Sequence, residues 1–274
     1  MKKFIYLLMS LSLVAFASCS DDDKDSPSSE NGENGNNGSG NVSAVSVFKS
    51  GTENGHDYVD LGLTSGTKWA TCNVGASKPQ DYGNYYAWGE VTTKEVYDWS
   101  TYKYGSAYNQ LTKYCDDSLY GKDGFTDTKT TLDLSDDAAY VNWGGKWRMP
   151  TKAQQDELRN QCYWVWTESY NNSNVKGYIV YKAKTSSDKG YVYEGKTPSS
   201  SYSLSDAHIF LPAAGFRLNG DLYIAGSSGG YWSSSLGTVP NSAWSASSYS
   251  GDVYGHLVSR YGGHQSVRAV CPAE

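Results

Sequence analysis

Trp244, Tyr249, Asp252, Tyr254, His256, Ser259 and Tyr261 crowd one short stretch near the C-terminus, and their types suit recognition better than catalysis. From Trp232 to His264 the chain holds nine Ser, five Gly, three Tyr, two Trp and two His, and only Asp252 and Arg260 carry formal charge. Tyr and Trp give large, rigid contact area at low entropy cost, while Ser and Gly give adaptable hydrogen bonding. Enzyme sites instead gather titratable groups whose pKa values are tuned by their surroundings. A Ser/Gly-rich β region with no partner would have the same composition, so position has to decide between the two.

Catalytic and metal-binding patterns are sparse. His208, His256 and His264 form neither an HxH nor an HExxH group. Asp133, Asp136 and Asp137 lack calcium-loop spacing and are better placed to cap a helix. No phosphate-binding glycine loop is present. The expectation is a binder without a catalytic residue, metal or cofactor.

The front of the chain sets an address. Lys2 and Lys3 precede an apolar run, Phe4 to Phe16, too short to span a membrane. Phe16-Ala17-Ser18-Cys19 then resembles a bacterial lipoprotein signal, which makes 1–18 the signal peptide and Cys19 the lipidated residue. The acidic cluster Ser20 to Asp25 resembles the surface-export signal of Bacteroidetes-type lipoproteins. Residues 19–44 are almost all Ser, Asn, Gly, Asp and Glu, a composition that cannot bury enough apolar surface to fold, so they read as a tether. The expected location is the outer membrane, lipid-anchored and facing the exterior. The net charge is −6 and no basic run occurs, which argues against a nucleic-acid partner.

Four cysteines remain, Cys72, Cys115, Cys162 and Cys271. An even count in an exported protein suggests two disulfides, for which three pairings exist, with four separate buried thiols as the alternative. None lies in a CxxC or beside a His at metal spacing, so zinc is not favoured.

Residues 45–274 suit one domain with an inserted loop at 184–206. Tyr58–Leu63 and Lys68–Val74 read as a hairpin, and residues 90–134 as mostly loop. A first helix runs from Asp136 to Trp143, capped by Ser135 and ended by Gly144-Gly145. A second runs from Lys152 to Gln161, capped by Thr151 with Gln154 completing a capping box. Short strands follow at Tyr163–Thr167, Val175–Tyr181, His208–Arg217, Leu222–Ala225, Gly230–Ser235 and Ser266–Cys271. Ala243–Tyr249 and Asp252–Val258 form a hairpin across Ser250-Gly251. Side-chain alternation puts Asp252, Tyr254, His256 and Val258 on one face, with Val253, Gly255 and Leu257 toward the core. Two helices and many late strands predict an α+β fold.

Several long runs resemble one family. They are Tyr58–Leu63, Trp69–Ala76, Tyr85–Glu90, Asn142–Thr151, Phe210–Arg217, Gly230–Ser235 and Ser266–Val270. Together they are similar to the Fibrobacter succinogenes major paralogous domain family and cover about residues 55 to 271. The resemblance implies a fold related to C-type lectins and to the formylglycine-generating enzyme. It also implies likeness to the variable proteins of diversity-generating retroelements, whose C-terminal stretch displays varied side chains as a ligand surface; Ala243–Arg268 resembles such a region. A C-type-lectin-like fold would make the first and last strands neighbours, and with that the pairings Cys72–Cys271 and Cys115–Cys162. The calcium and sugar tripeptides of true C-type lectins, Glu-Pro-Asn and Trp-Asn-Asp, do not occur, although structural calcium stays open. The paired reactive cysteines of the enzyme branch have no counterpart near Cys271. Arg148, Arg217 and Arg268 recur inside the motifs and are expected to be buried in internal pairing. The function expected is therefore a surface lipoprotein that binds an extracellular protein or glycan through its C-terminal face. A structural adhesin or envelope component is the alternative, and a formylglycine-generating type of enzyme is third.

Overall fold

Asp137, two residues past the cap that the sequence suggested, starts the first helix. Its carboxylate accepts from the backbone N–H groups of Ala139 and Tyr140, while Leu134–Asp136 forms a separate 3-10 turn. Ser135 is therefore not the cap. A carboxylate satisfies the orphaned first-turn donors and opposes the positive end of the helix dipole. Gly144, at φ 67°, ends the helix as expected. The second helix begins on Thr151, and the full capping box with Gln154 is present.

The computed structural model describes residues 46–190 and 197–273. The expected signal peptide (1–18), Cys19, the expected tether (19–44) and part of the expected 184–206 insertion lie outside the described residues. In chain order the strands are β1 (Gly51–Glu53), β2 (His56–Val59), β3 (Lys68–Asn73), β4 (Tyr85–Tyr86), β5 (Cys162–Thr167), β6 (Gly177–Lys182), β7 (His208–Pro212), β8 (Phe216–Leu218), β9 (Asp221–Tyr223), β10 (Ser228–Leu236), β11 (Ser242–Tyr249), β12 (Asp252–Ser259), β13 (Gln265–Ser266) and β14 (Arg268–Cys271). The α-helices α1 (Ala138–Trp143) and α2 (Lys152–Gln161) stand between β4 and β5. The class is α+β and mostly β. No helix among the described residues is long and apolar enough to cross a membrane.

Three sheets carry the domain. The first has the order β1-β2-β3-β14, so the last strand lies beside β3 rather than beside the first strand. The second runs β12-β11-β10-β13-β4, and the third β5-β6-β7. Pairing is antiparallel except between β10 and β13. A two-stranded hairpin, β8-β9, stands beside the second sheet, where Gly215 bridges Gly229.

The core is aromatic. Trp88, Trp147 and Trp232 are completely buried, together with Tyr86, Tyr97 and Tyr114. Each such ring removes roughly 200 Å² from water, worth about 5 kcal/mol before the entropy of ordering it is subtracted. The indole N–H groups are matched to carbonyls: Trp88 donates to Ser233, Trp232 to Tyr86 and Trp147 to Glu53, at 2.8–2.9 Å. Residues 90–134 are irregular, as expected, yet they supply Tyr97, Tyr102, Tyr104 and Tyr114 to this core. A second cluster joins Leu61, Trp69, Leu158, Val180 and Val253.

The expected disulfides do not form; no bond joins Cys72, Cys115, Cys162 or Cys271. Cys271 lies opposite Lys68, four residues along β3 from Cys72. At about 3.3 Å per residue that separation is about 13 Å, where a disulfide tolerates Cα atoms about 7 Å apart at most. Cys115 donates its S–H to the Asp117 carbonyl at 3.2 Å, while Cys162 packs in the second cluster with Leu158 and Trp164. The resemblance implied that the first and last strands are neighbours; β14 pairs instead with β3, the third strand, in a register that keeps Cys72 and Cys271 apart.

Candidate functional site

The β11–β12 hairpin pairs without a break from Ser242 with Ser259 to Tyr249 with Asp252, across the two-residue turn Ser250-Gly251. Residues opposite each other share a face. Ser245, Ser247 and Tyr249 therefore lie with His256, Tyr254 and Asp252 on one side. Trp244, Ala246 and Ser248 lie with Leu257, Gly255 and Val253 on the other. The second side rests on α2. Val253 is buried in the cluster that holds Leu158, and the Lys152 ammonium sits 4.8 Å from the centre of the Trp244 ring. Val253 thus takes the core position expected of it, whereas Gly255 is exposed and Leu257 half-buried.

The first side forms the floor of a groove of about 480 Å³. Tyr254, His256, Ser259 and Tyr261 line it, with Phe216, Leu218 and Ile224 as one wall. Among the described residues no Asp, Glu, Lys or Arg lines it. Tyr254 is 37% exposed and presents its ring edge-on to Tyr249 and to His256, with centroids at 6.2 and 5.3 Å. The Ser247 hydroxyl and His256 Nε2 are 2.7 Å apart. Burial pushes the His256 pKa below its usual value, so the ring is neutral near pH 7. Burial likewise pushes the Tyr254 phenol up. The surface therefore offers aromatic area and neutral hydrogen-bond groups.

Backbone strain marks the wall. Ile224 has φ +48°, a region that costs a β-branched residue roughly 1–2 kcal/mol. Its carbonyl accepts from the N–H groups of Ser227 and Ser228, both at 3.0 Å, and its side chain is 53% exposed. Such strain collects at ligand-contacting segments. Gly215 is needed beside it: at φ +65°, a Cβ there would stand 2.1 Å from the Tyr223 carbonyl oxygen.

The seven residues singled out in the sequence do not form one cluster. Tyr254, His256, Ser259 and Tyr261 meet in the groove. Tyr249 and Asp252 pair at the hairpin tip beside it, and Tyr249 is 48% exposed. Trp244 faces away, against α2. Tyr261 stacks on Trp99 at 4.2 Å and packs on the main core, so part of its role is structural. Arg260, one of the two charges in the stretch, is wholly buried. It donates to the Tyr102 hydroxyl and to the carbonyls of Tyr114, Pro240 and Lys113, and so anchors the end of β12. Arg268 is buried too, bonded to Asn73 Oδ1 and to the carbonyls of Ala70, Thr71 and Phe210. Arg148 and Arg217 are half-buried and donate to backbone carbonyls.

The wall residues Phe216, Leu218 and Ile224 were missed as site residues. Asn219-Gly220, a strong two-residue hairpin signal, could have found the element that carries them; φ is positive at both positions. Gly226 to Gly230 also spells the Gly-x-Ser-x-Gly spacing of a nucleophile elbow. Ser228, however, sits on β10 and donates its hydroxyl to the Ser248 carbonyl at 2.8 Å. The Ser247–His256 contact has no carboxylate on His256 Nδ1 among the described residues, so a third triad member is missing there. Among the described residues no three His, Cys, Asp or Glu side chains are grouped to hold a metal ion. No family model, curated protein or solved structure matches this chain.

Proposed function

We propose that this chain is a binding module, lipid-anchored through Cys19 and facing the cell exterior, that takes a protein or glycan ligand with the β11–β12 hairpin and the groove beside it. What carries this reading is the groove itself: about 480 Å³, lined among the described residues by no Asp, Glu, Lys or Arg, with the exposed ring of Tyr254 in its lining and the exposed ring of Tyr249 edge-on to Tyr254. Rigid aromatic anchors beside neutral hydrogen-bond groups are the makings of a recognition surface. The α+β architecture, with early and late strands adjacent, supports a C-type-lectin-like fold of the Fibrobacter succinogenes major paralogous type. On that reading Ala243–Arg268 includes a diversified stretch, with Tyr249, Asp252, Tyr254, His256 and Ser259 among its displayed positions.

The test is binding of the full chain to arrayed glycans and to extracellular proteins. Tyr249→Ala with Tyr254→Ala should weaken the selected interaction by roughly tenfold to a hundredfold. Tyr261 is left in place, because its ring also supports Trp99 and the core. Unchanged binding by the double variant, with the fold intact by circular dichroism, would refute the placement.

A further inference from the structure

β12 is the terminal strand of its sheet, and the hydrogen-bond parity shows which of its backbone groups face away. Arg260 N donates to Asn241 O at 3.1 Å. Carried along the unbroken register, that alternation turns the backbone of Asp252, Tyr254, His256 and Val258 toward β11. The N–H and C=O groups of Val253, Gly255, Leu257 and Ser259 then point outward. Val253 N–H is taken by the Asp252 carboxylate at 2.7 Å. Among the described residues nothing meets the outward backbone groups of Gly255 and Leu257.

Exposed edges of this kind are ordinarily blunted by Lys, by Pro or by a bulge. β12 carries none of these; its one formal charge, Asp252, stands at the turn. Gly255, in mid-strand, is exposed, and a Cβ built there would meet nothing closer than 3.9 Å. The edge is also continuous with the groove, whose lining includes Leu257, Val258 and Ser259.

We propose that the outer edge of β12 accepts an extended polypeptide segment as an added strand, with alternate uncharged side chains of that segment entering the groove. A row of donors and acceptors at two-residue strand spacing is matched by another strand's backbone, and a chain of sugar rings does not match it. A groove lined, among the described residues, by no ionised side chain selects apolar or neutral side chains, since a buried unpaired charge would be costly. The inference rests on the groove being a binding surface and narrows its ligand to a peptide.

The experiment selects random linear peptides against the full chain, then scans the best binder with single backbone N-methyl groups. Added-strand binding predicts losses of roughly tenfold at every second residue and little change between them, because only alternate N–H groups face β12. Gly255→Pro removes an outward N–H without touching the inner ladder and should cost about as much. Peptides that bind with no two-residue period would overturn the added strand and leave the groove reading standing. Binding to arrayed glycans with no peptide selected would do the same. Failure of both libraries would take down both ideas. The N-methyl scan needs no variant of the protein, so misfolding of Gly255→Pro leaves the test intact.

Discussion

His264 shows what burial does to a side chain that looks chemically useful in the sequence. Its ring lies against Tyr97, centroids 3.4 Å apart, and Nδ1 contacts the Arg217 carbonyl at 2.8 Å. A carbonyl only accepts, so Nδ1 carries the proton, and buried Nε2 has no hydrogen-bond partner among the described residues. Burial pushes the pKa down to about 3, although the hydrogen bond to the Arg217 carbonyl pulls it upward. The folded value lies below the unfolded value of about 6.5, so the unfolded chain gains a proton in acid that the folded chain refuses. The contribution to stability is therefore complete above about pH 6.5 and is lost as pH falls toward 3. Between pH 7 and pH 5 this one group should cost about 2 kcal/mol, at about 1.4 kcal/mol per pH unit below 6.5. Urea unfolding at the two pH values measures the slope, and His264→Phe should flatten it. An equal slope in the variant would show that His264 stays charged in the fold or that another group dominates.

The helix caps separate what the sequence discloses about an element from what it withholds. Thr151 and Gln154 were legible because the capping box is a local pattern three residues wide. Asp137 was misjudged because its carboxylate also makes a non-local contact. Both of its oxygens accept from the N–H of Met149, at 3.0 and 2.9 Å. Thr151→Ala should cost about 1 kcal/mol. Asp137→Ala should cost roughly 2–3 kcal/mol, because it uncaps α1 and also strands a buried N–H. Denaturation midpoints compare the two; equal costs would mean that the Met149 contact adds nothing. The same division holds elsewhere. The β11–β12 hairpin and its facing pattern could be read from alternation around Ser250-Gly251. The burial of Tyr97, Tyr102, Tyr104 and Tyr114 could not, since they sit in irregular chain without periodicity and are placed by partners far away in sequence, Arg260 among them. Half of the groove was legible for the same reason: its floor is local, and its wall is brought there by the packing of β8-β9.

At the scale of the whole molecule, buried guanidinium groups do the cross-linking that cysteines were expected to do. Arg268, on β14, reaches carbonyls on β3 and on β7, and so ties the first sheet to the third. Arg260 ties the end of β12 to the aromatic loop region through Tyr102 and the carbonyls of Lys113 and Tyr114. Planar forks with several fixed donors suit carbonyls that converge from different segments, and a single ammonium would not satisfy them. The thiols remain bystanders. Cys115, Cys162 and Cys271 are buried, and Cys72 is half-buried with its thiol pushed up by burial. In a Cys19→Ser background, a reductant should leave the thermal midpoint unchanged, whereas two native disulfides would be worth about 2–4 kcal/mol each and their loss would lower it by many degrees. A thiol reagent should label Cys72 first and reach the other three only in denaturant. A midpoint that falls on reduction, or fewer than four thiols titrated in denaturant, would show that at least one disulfide forms; a Cys72–Cys271 bond would further need β3 and β14 to pair in a register different from the one that sets Cys271 opposite Lys68.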